Sequence, residues 1–335
     1  MKHFDSSFFT EQNFLKSKEI YNHLSANNMA QSKHICFNIN DSFFSYMGAT
    51  IVSILKNNPN DTFVFHVFTD GYSDENKKKI IQLAQEQQCC IILYVLHMEP
   101  FAGFHIKVVR WSRITYARFY MPKLLQKDTN RFLYVDADTV CVGSLEKLWN
   151  LDLKGHAIGV VMDTPQSIAQ RVPYLKLKNT SYFNDGVMLV DIPAWEKQHL
   201  TEKTFSYQDE PRKRFLGQDQ DILNIVLDGD VYFIPPEYNA YGSGEKYYHR
   251  DDAIIVHWTG RRKPWQMVLT KFDKKWRDYN AISPWDTITN IYPIKKPENY
   301  HDFQQWGRFQ KQKGNLLGYL YGIFWYIVLR TKYKL

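Results

Sequence analysis

From Ile35 onward the chain alternates short apolar runs with longer stretches whose apolar residues recur near helical spacing. Ile35–Ile39 predicts a strand, and Phe43–Lys56 a helix. Phe63–Thr69, rich in β-branched and aromatic residues, predicts the next strand. Asp74 fits the N-cap of a helix reaching Gln87, and Cys89–Val95 predicts a third strand. Strands joined by helices in this way imply a parallel sheet with right-handed crossovers, so the expected fold class is α/β. A helix over Ser112–Leu125 then leads into a strand at Phe132–Asp136. Further strands are expected at His156–Met162, Phe183–Val190 and Ile254–Trp258, with a helix at Asp219–Leu227. In open sheets of this kind ligands bind beyond the carboxyl ends of the strands.

The final apolar stretch is different. Leu316–Leu329 is apolar and aromatic, flanked by Lys311, Lys313, Arg330, Lys332 and Lys334. It is shorter than the ~20 residues that span a bilayer. Trp325 and tyrosines beside basic residues suit a helix lying in the interface of an anionic membrane. The competing reading is a terminal helix packed on its own domain.

Composition narrows this picture only partly. The 335 residues, 44% hydrophobic and 23% charged, are those of a soluble globular protein with room for one large domain or somewhat more. Aromatic residues reach 16%, which suits sugar stacking and membrane interfaces as well as cores. The net charge of +7 favours an anionic partner. Its basic residues are scattered except near Arg261–Lys263 and the tail, which disfavours nucleic acid. Four cysteines, Cys36, Cys89, Cys90 and Cys141, match neither a disulfide framework nor a zinc pattern. The first 33 residues are polar and mixed, with no apolar signal segment, so a cytoplasmic protein is expected.

The chemistry concentrates at the end of one strand. Arg131-Phe132-Leu133-Tyr134-Val135-Asp136-Ala137-Asp138 ends an apolar run in two carboxylates separated by one small residue. Two such groups side by side repel, and a divalent cation relieves the repulsion. For the tripeptide alone, a solvated turn is the commoner reading. His257-Trp258-Thr259-Gly260-Arg261-Arg262-Lys263-Pro264-Trp265 follows the last predicted strand and joins imidazole, glycine turn, cations and indoles. Two carboxylates and an imidazole form a mixed site better suited to Mn²⁺ than to Mg²⁺. Tyr182-Phe183-Asn184-Asp185-Gly186 and Gly217-Gln218-Asp219-Gln220-Asp221 set polar groups directly against apolar runs. Taken singly, Asn184 fits a turn and Asp219 a helix N-cap, and Arg118 fits a solvated helix face. No Gly-x-Gly-x-x-Gly and no phosphate loop is present, which counts against dehydrogenases and P-loop enzymes.

Together and in this order, these motifs resemble glycosyltransferase family 8, and within it the bacterial lipopolysaccharide-core glucosyl- and galactosyltransferases. The resemblance runs from His34 to Trp265, with a basic aromatic tail similar to that subgroup's C-terminal extension. It implies a GT-A type nucleotide-sugar domain over 34–265 with a mostly parallel central sheet, an N-terminal extension over 1–33, and a helical membrane-associating region over 266–335. It implies retaining transfer of glucose or galactose from a UDP-sugar to the lipopolysaccharide core, at the cytoplasmic face of the inner membrane.

By the same resemblance Asp136, Asp138 and His257 are metal ligands, for Mn²⁺ or else Mg²⁺. Asn38, Asn40, Asp41, Arg118, Ala137, Gly260 and Lys263 contact the donor. Asp163, Asn184, Asp185, Asp219 and Gln220 surround the transferred sugar and acceptor, with Gln220 near the reacting carbon. Two positions depart from the family pattern. The usual Asp-x-Asn after the first strand is Asn40-Asp41-Ser42 here, and the usual Ala or Ser after Asn184 is Asp185. A non-catalytic lipopolysaccharide- or nucleotide-binding protein on the same fold is the alternative reading. A metal-dependent nucleotidyltransferase, releasing pyrophosphate, is a further one.

Overall fold

The computed structural model describes residues 4–106, 112–211, 214–241, 250–260, 263–265, 268, 270–286 and 300–332. Arg261, Arg262 and Lys334, singled out above, lie outside the described residues.

Eleven strands are present among the described residues: β1 (Leu15–Asn22), β2 (Lys33–Ile39), β3 (Phe63–Thr69), β4 (Cys90–Leu96), β5 (Arg131–Val135), β6 (Thr139–Cys141), β7 (Ile158–Met162), β8 (Phe183–Asp191), β9 (Tyr232–Phe233), β10 (Ala240–Tyr241) and β11 (Ile255–His257). Eight form one sheet in the order β1-β4-β3-β2-β5-β8-β7-β9, and the order β10-β11-β6 forms a smaller sheet. β4, β3, β2 and β5 are parallel, as the strand–helix alternation requires, with crossovers through the helices Phe44–Asn57 and Asp74–Glu86. β8 instead runs antiparallel to both β5 and β7.

The central strands are buried on both faces, which is why they read as unbroken apolar runs. Ile35, Phe37, Phe65, Val67, Ile91 and Leu93 pack to one side with Met47, Ile51 and Leu83 from the two crossover helices. Cys36, Val64, Phe68, Ile92 and Tyr94 face the other side, where Phe14, Phe101, Phe119, Tyr120 and Phe205 fill the space. The segment before residue 34 belongs to this layer, because β1 closes the sheet edge against β4. Its sequence, LKSKEIYN, carries the charges that keep an edge strand from pairing further.

Two local expectations need correction. Ser73, not Asp74, is the N-cap, its hydroxyl accepting from the Asn76 amide at 3.3 Å. Ser112–Leu125 is not one helix. A 3₁₀ turn at Arg113–Phe119 is followed by a short helix, Met121–Leu125, because Pro122 cannot continue the hydrogen-bond ladder of a preceding helix. That break aims Arg118 inward.

The C-terminal helices Tyr300–Gln312 and Leu316–Lys332 form a hairpin that turns at Gly314, where φ is +75°. They cross at Gly307 and Gly322, where a Cβ on Gly322 would come within 2.5 Å of the Gly307 Cα. Leu317, Leu320, Phe324, Ile327 and Val328 remain exposed along one stripe of the last helix. Among the described residues no helix is long and apolar enough to cross a membrane.

Candidate active site

The chain runs from β2 out to β3 and β4 on one side, then returns to place β5 on the other side of β2. The crevice beyond β2 and β5 is therefore a topological switch point, where an open sheet leaves room for a ligand. A cavity of about 470 Å³ opens there. Its lining includes Asn38, Asn40, Arg118, Asp136, Ala137, Asp138, Asn184, Asp185, Asp219, Gln220, His257, Gly260 and Lys263. Most of the residues expected from the sequence thus converge. Asp163 stands just behind the lining, accepting from Gln220 Nε2 at 2.9 Å. Asp41 does not join them. Its carboxylate accepts from the Ser73 amide and from Asn76 Nδ2, both at 2.7 Å, and so fastens the start of a crossover helix.

Strand pairing brings the three candidate metal ligands together. Asp136 follows the last residue of β5, and its amide donates to the Gly186 carbonyl at 2.8 Å. The chain then turns through Ala137 and Asp138 into β6, which pairs with β11 so that Thr139 stands opposite His257. The Trp258 amide donates to the Asp138 carbonyl at 3.1 Å and locks that register. His257 Nε2 consequently lies 3.5 Å from Asp136 Oδ2 and 3.3 Å from Asp138 Oδ1. One ligand atom from each residue falls within 4.8 Å of the others. Two carboxylate oxygens and an imidazole nitrogen converging from three sides suit a divalent cation of the Mn²⁺ or Mg²⁺ class.

The two aspartates sit in different fields. Burial pushes the Asp136 carboxyl up despite Arg118 and His257. Asp138 pays the same burial penalty, but Lys263, in contact with it, and His257 hold its carboxyl well below the usual range. Gly186 is what makes room for this arrangement. A Cβ there would lie 2.2 Å from His257 Cε1 and 2.7 Å from Asp136 Oδ2. Gly186→Ala is therefore expected to displace the imidazole and to weaken Mn²⁺ binding by about 10–100-fold, as read from a Mn²⁺ titration of the folded variant. An unchanged affinity would contradict the assigned ligand set.

Arg118 joins Asp136 to two other carboxylates of the cavity lining, Asp185 and Asp219. It is buried and faces three carboxylates: Asp136 Oδ1 at 3.2 Å, Asp185 Oδ2 at 2.6 Å and Asp219 Oδ2 at 2.9 Å. Its Nη2 also donates to Tyr134 Oη at 2.7 Å, and Nη1 to the Asp185 carbonyl at 3.1 Å. Burial disfavours the guanidinium charge, but Asp185 and Asp219 more than restore it. Burial likewise drives the Asp185 carboxyl well above the usual range, against the pull of Arg118.

Several contributors showed their roles only in the folded structure. Asn239 accepts from His257 Nδ1 at 2.9 Å and is fully buried. Tyr46 and Trp265 stack at 3.7 Å between ring centroids and, with Phe43, give the cavity an aromatic wall. Gln218 precedes Asp219 with φ of +56°, a strained backbone for a residue other than glycine. Only the strain lacked any signal. A lone asparagine near a strand and aromatics at helical spacing were visible but indistinguishable from turn and core residues.

The family model for glycosyl transferase family 8 matches residues 34–268. A lipopolysaccharide 1,2-glucosyltransferase of Escherichia coli is 30% identical, covering 81% of this chain and 84% of its own. A lipopolysaccharide 1,3-galactosyltransferase of Salmonella typhimurium is 28% identical, covering 79% of this chain and 82% of its own. Among solved structures, the galactosyltransferase LgtC in complex with donor and acceptor sugar analogues superposes with a TM-score of 0.66 at 22% identity. It covers 80% of this chain and 99% of the other, and the shared architecture is the GT-A fold.

Proposed function

Because the chain belongs to glycosyl transferase family 8, we propose that it transfers glucose or galactose from a UDP-sugar to the lipopolysaccharide core, with retention of configuration. The observation that carries this reading is the meeting of two chemistries in one cavity. Asp136, Asp138, His257 and Lys263 line it together with Asn184, Asp185, Asp219 and Gln220. A diphosphate fits the first set and a sugar the second.

A Mn²⁺ or Mg²⁺ ion held by Asp136, Asp138 and His257 would supply positive charge to the leaving diphosphate. Lys263, beside Asp138, adds a cation to the same side of the cavity. Asn38 is oriented by donating to the Thr115 carbonyl at 2.7 Å and, with Asn40 and Phe43, lines the end of β2 suited to a uracil. The bond from the anomeric carbon to the phosphate oxygen breaks with its electrons going to that oxygen. The acceptor hydroxyl attacks the same face, and its proton passes to the departing phosphate. Gln220 is a poor nucleophile, and Asp185 and Asp219 are both paired with Arg118. This favours same-face attack over a covalent sugar–enzyme intermediate, and a sugar trapped on Asp185 or Asp219 would refute it.

The deciding assay is UDP release from UDP-glucose and UDP-galactose, with Mn²⁺ or EDTA, on lipopolysaccharide truncated within the core. Mn²⁺-dependent, acceptor-stimulated release from one donor is expected. No release from either, with UDP still bound, contradicts the reading in favour of a different donor or a binding protein.

The reading places the enzyme at the cytoplasmic face of the inner membrane. Support comes from the exposed stripe Leu317, Leu320, Phe324 and Ile327, with Lys311, Lys313, Arg330 and Lys332 around it. Burying one such side chain contributes about 1.5–3 kcal/mol. Leu317→Glu with Phe324→Glu should therefore lower binding to anionic vesicles at least about tenfold, and leave turnover on a soluble acceptor unaltered. Equal sedimentation of the two proteins would refute the assignment.

A further inference from the structure

The reading of Asp136, Asp138 and His257 as a divalent-cation site leaves one requirement open. The imidazole binds a cation only through a ring nitrogen that carries no proton, and His257 presents Nε2 to both carboxylates. Something must hold the proton on Nδ1.

The hydrogen bonds behind the cavity settle where it goes. The Gly186 amide, which can only donate, reaches Asn184 at 3.1 Å, so the receiving atom is Oδ1. That same oxygen lies 2.8 Å from the Asn239 side chain, which must therefore turn its Nδ2 toward it. Asn239 Oδ1 is then left facing His257 Nδ1 at 2.9 Å, and Nδ1 must carry the hydrogen. The other branch agrees. Asn184 Nδ2 donates to Gln220 Oε1 at 3.1 Å, and Gln220 Nε2 donates to Asp163 Oδ2 at 2.9 Å. An obligatory donor at one point and a carboxylate acceptor at the other give every amide in the chain one orientation.

We infer that Asn239 is a positioning residue for His257, and that the network it completes presents the Nε2 lone pair to the space between Asp136 and Asp138. Asn239 sits at the end of the 3₁₀ turn Pro236–Asn239, directly before β10, whose parallel pairing with β11 sets Tyr241 beside His257. Asn239 and His257 are both almost fully buried, so water does not compete for this contact. Gln220 on the sugar side and His257 on the diphosphate side thus belong to one hydrogen-bonded network, through Asn184 and Asn239. Asp163, although outside the cavity lining, anchors its far end.

Two readouts on the intact chain need no donor sugar. The first is ¹⁵N NMR of the imidazoles, with His257 identified by its loss in His257→Gln; the second is titration with Mn²⁺ alone. The wild type should show the Nδ1–H tautomer. Asn239→Ala should give mixed tautomers and bind Mn²⁺ about 10–100-fold more weakly. Asn239→Asp keeps an acceptor toward Nδ1–H but sets an oxygen against Asn184 Oδ1. It should retain the tautomer and the Mn²⁺ affinity while losing turnover.

An Nε2–H tautomer in the wild type, or Mn²⁺ affinity unmoved by Asn239→Ala, overturns the inference. Should Asn239→Ala fail to fold, the wild-type tautomer and the Mn²⁺ affinity of Asn239→Asp decide it, and loss of Mn²⁺ binding in Asn239→Asp overturns it. A wild type that takes up no Mn²⁺ overturns the cation site itself, and this inference with it.

Discussion

Asp138→Asn is expected to lower sugar transfer by at least about 10³-fold, equivalent to about 4 kcal/mol of transition-state stabilisation, while leaving the chain folded. The substitution is close to isosteric and lies at a cavity wall, so the core loses nothing. What changes is the charge. Asp138 is held well below the usual carboxylate range, in contact with Lys263 and 3.3 Å from His257 Nε2. A neutral amide there removes one anionic ligand and frees Lys263 to stand in the cation's place. Circular dichroism and thermal unfolding like those of the wild type, with transfer lost, are the expected pair of results. Residual transfer within tenfold of the wild type would mean that Asp138 does not hold the cation.

Arg118→Ala has the larger structural effect. One buried guanidinium faces Asp136, Asp185 and Asp219, all within 3.2 Å. Removing it leaves three carboxylates around a cavity with no cation among them. Breaking a buried pair in this way costs about 3–5 kcal/mol. Arg118→Lys should recover only part of this, because one ammonium cannot occupy three directions at once. Asp185→Ala in the Arg118→Ala background should restore stability, since it removes one of the stranded charges. Urea unfolding of the wild type, Arg118→Ala, Asp185→Ala and the double variant measures that coupling. Strictly additive effects would show that Asp185 and Arg118 do not act as a pair.

Much of this site was legible in the sequence because its parts flank strands. Polar residues directly adjoin apolar runs at Asp136, Asn184 and His257, where buried strands begin or end. The parallel half of the sheet was legible for a related reason, since helical spacing between strands forces crossovers. The antiparallel placement of β8 was not, because a run apolar on both faces carries no sign of its partner's direction. β1 was missed because an edge strand buries only part of one face and is otherwise polar.

Arg118 looked like a solvated helix residue until Pro122 broke the helix and turned it inward. Asn239 read as an ordinary turn residue for want of context. It lies 18 residues from His257 and 55 from Asn184 along the chain, and only the pairing of β10 with β11 brings the three together. The family motifs located the groups that face the cavity. The residues that orient those groups emerged only from the folded geometry.

A cation held by Asp136, Asp138 and His257 would draw the diphosphate of a nucleotide into the cavity. Calorimetry of UDP binding, with saturating Mn²⁺ and with EDTA, tests it most directly. Linkage requires each ligand to tighten the other by the same factor. The account predicts that Mn²⁺ tightens UDP binding at least about tenfold, roughly 1.4 kcal/mol, and that Asp138→Asn abolishes the difference. Equal UDP affinity in Mn²⁺ and in EDTA would contradict it.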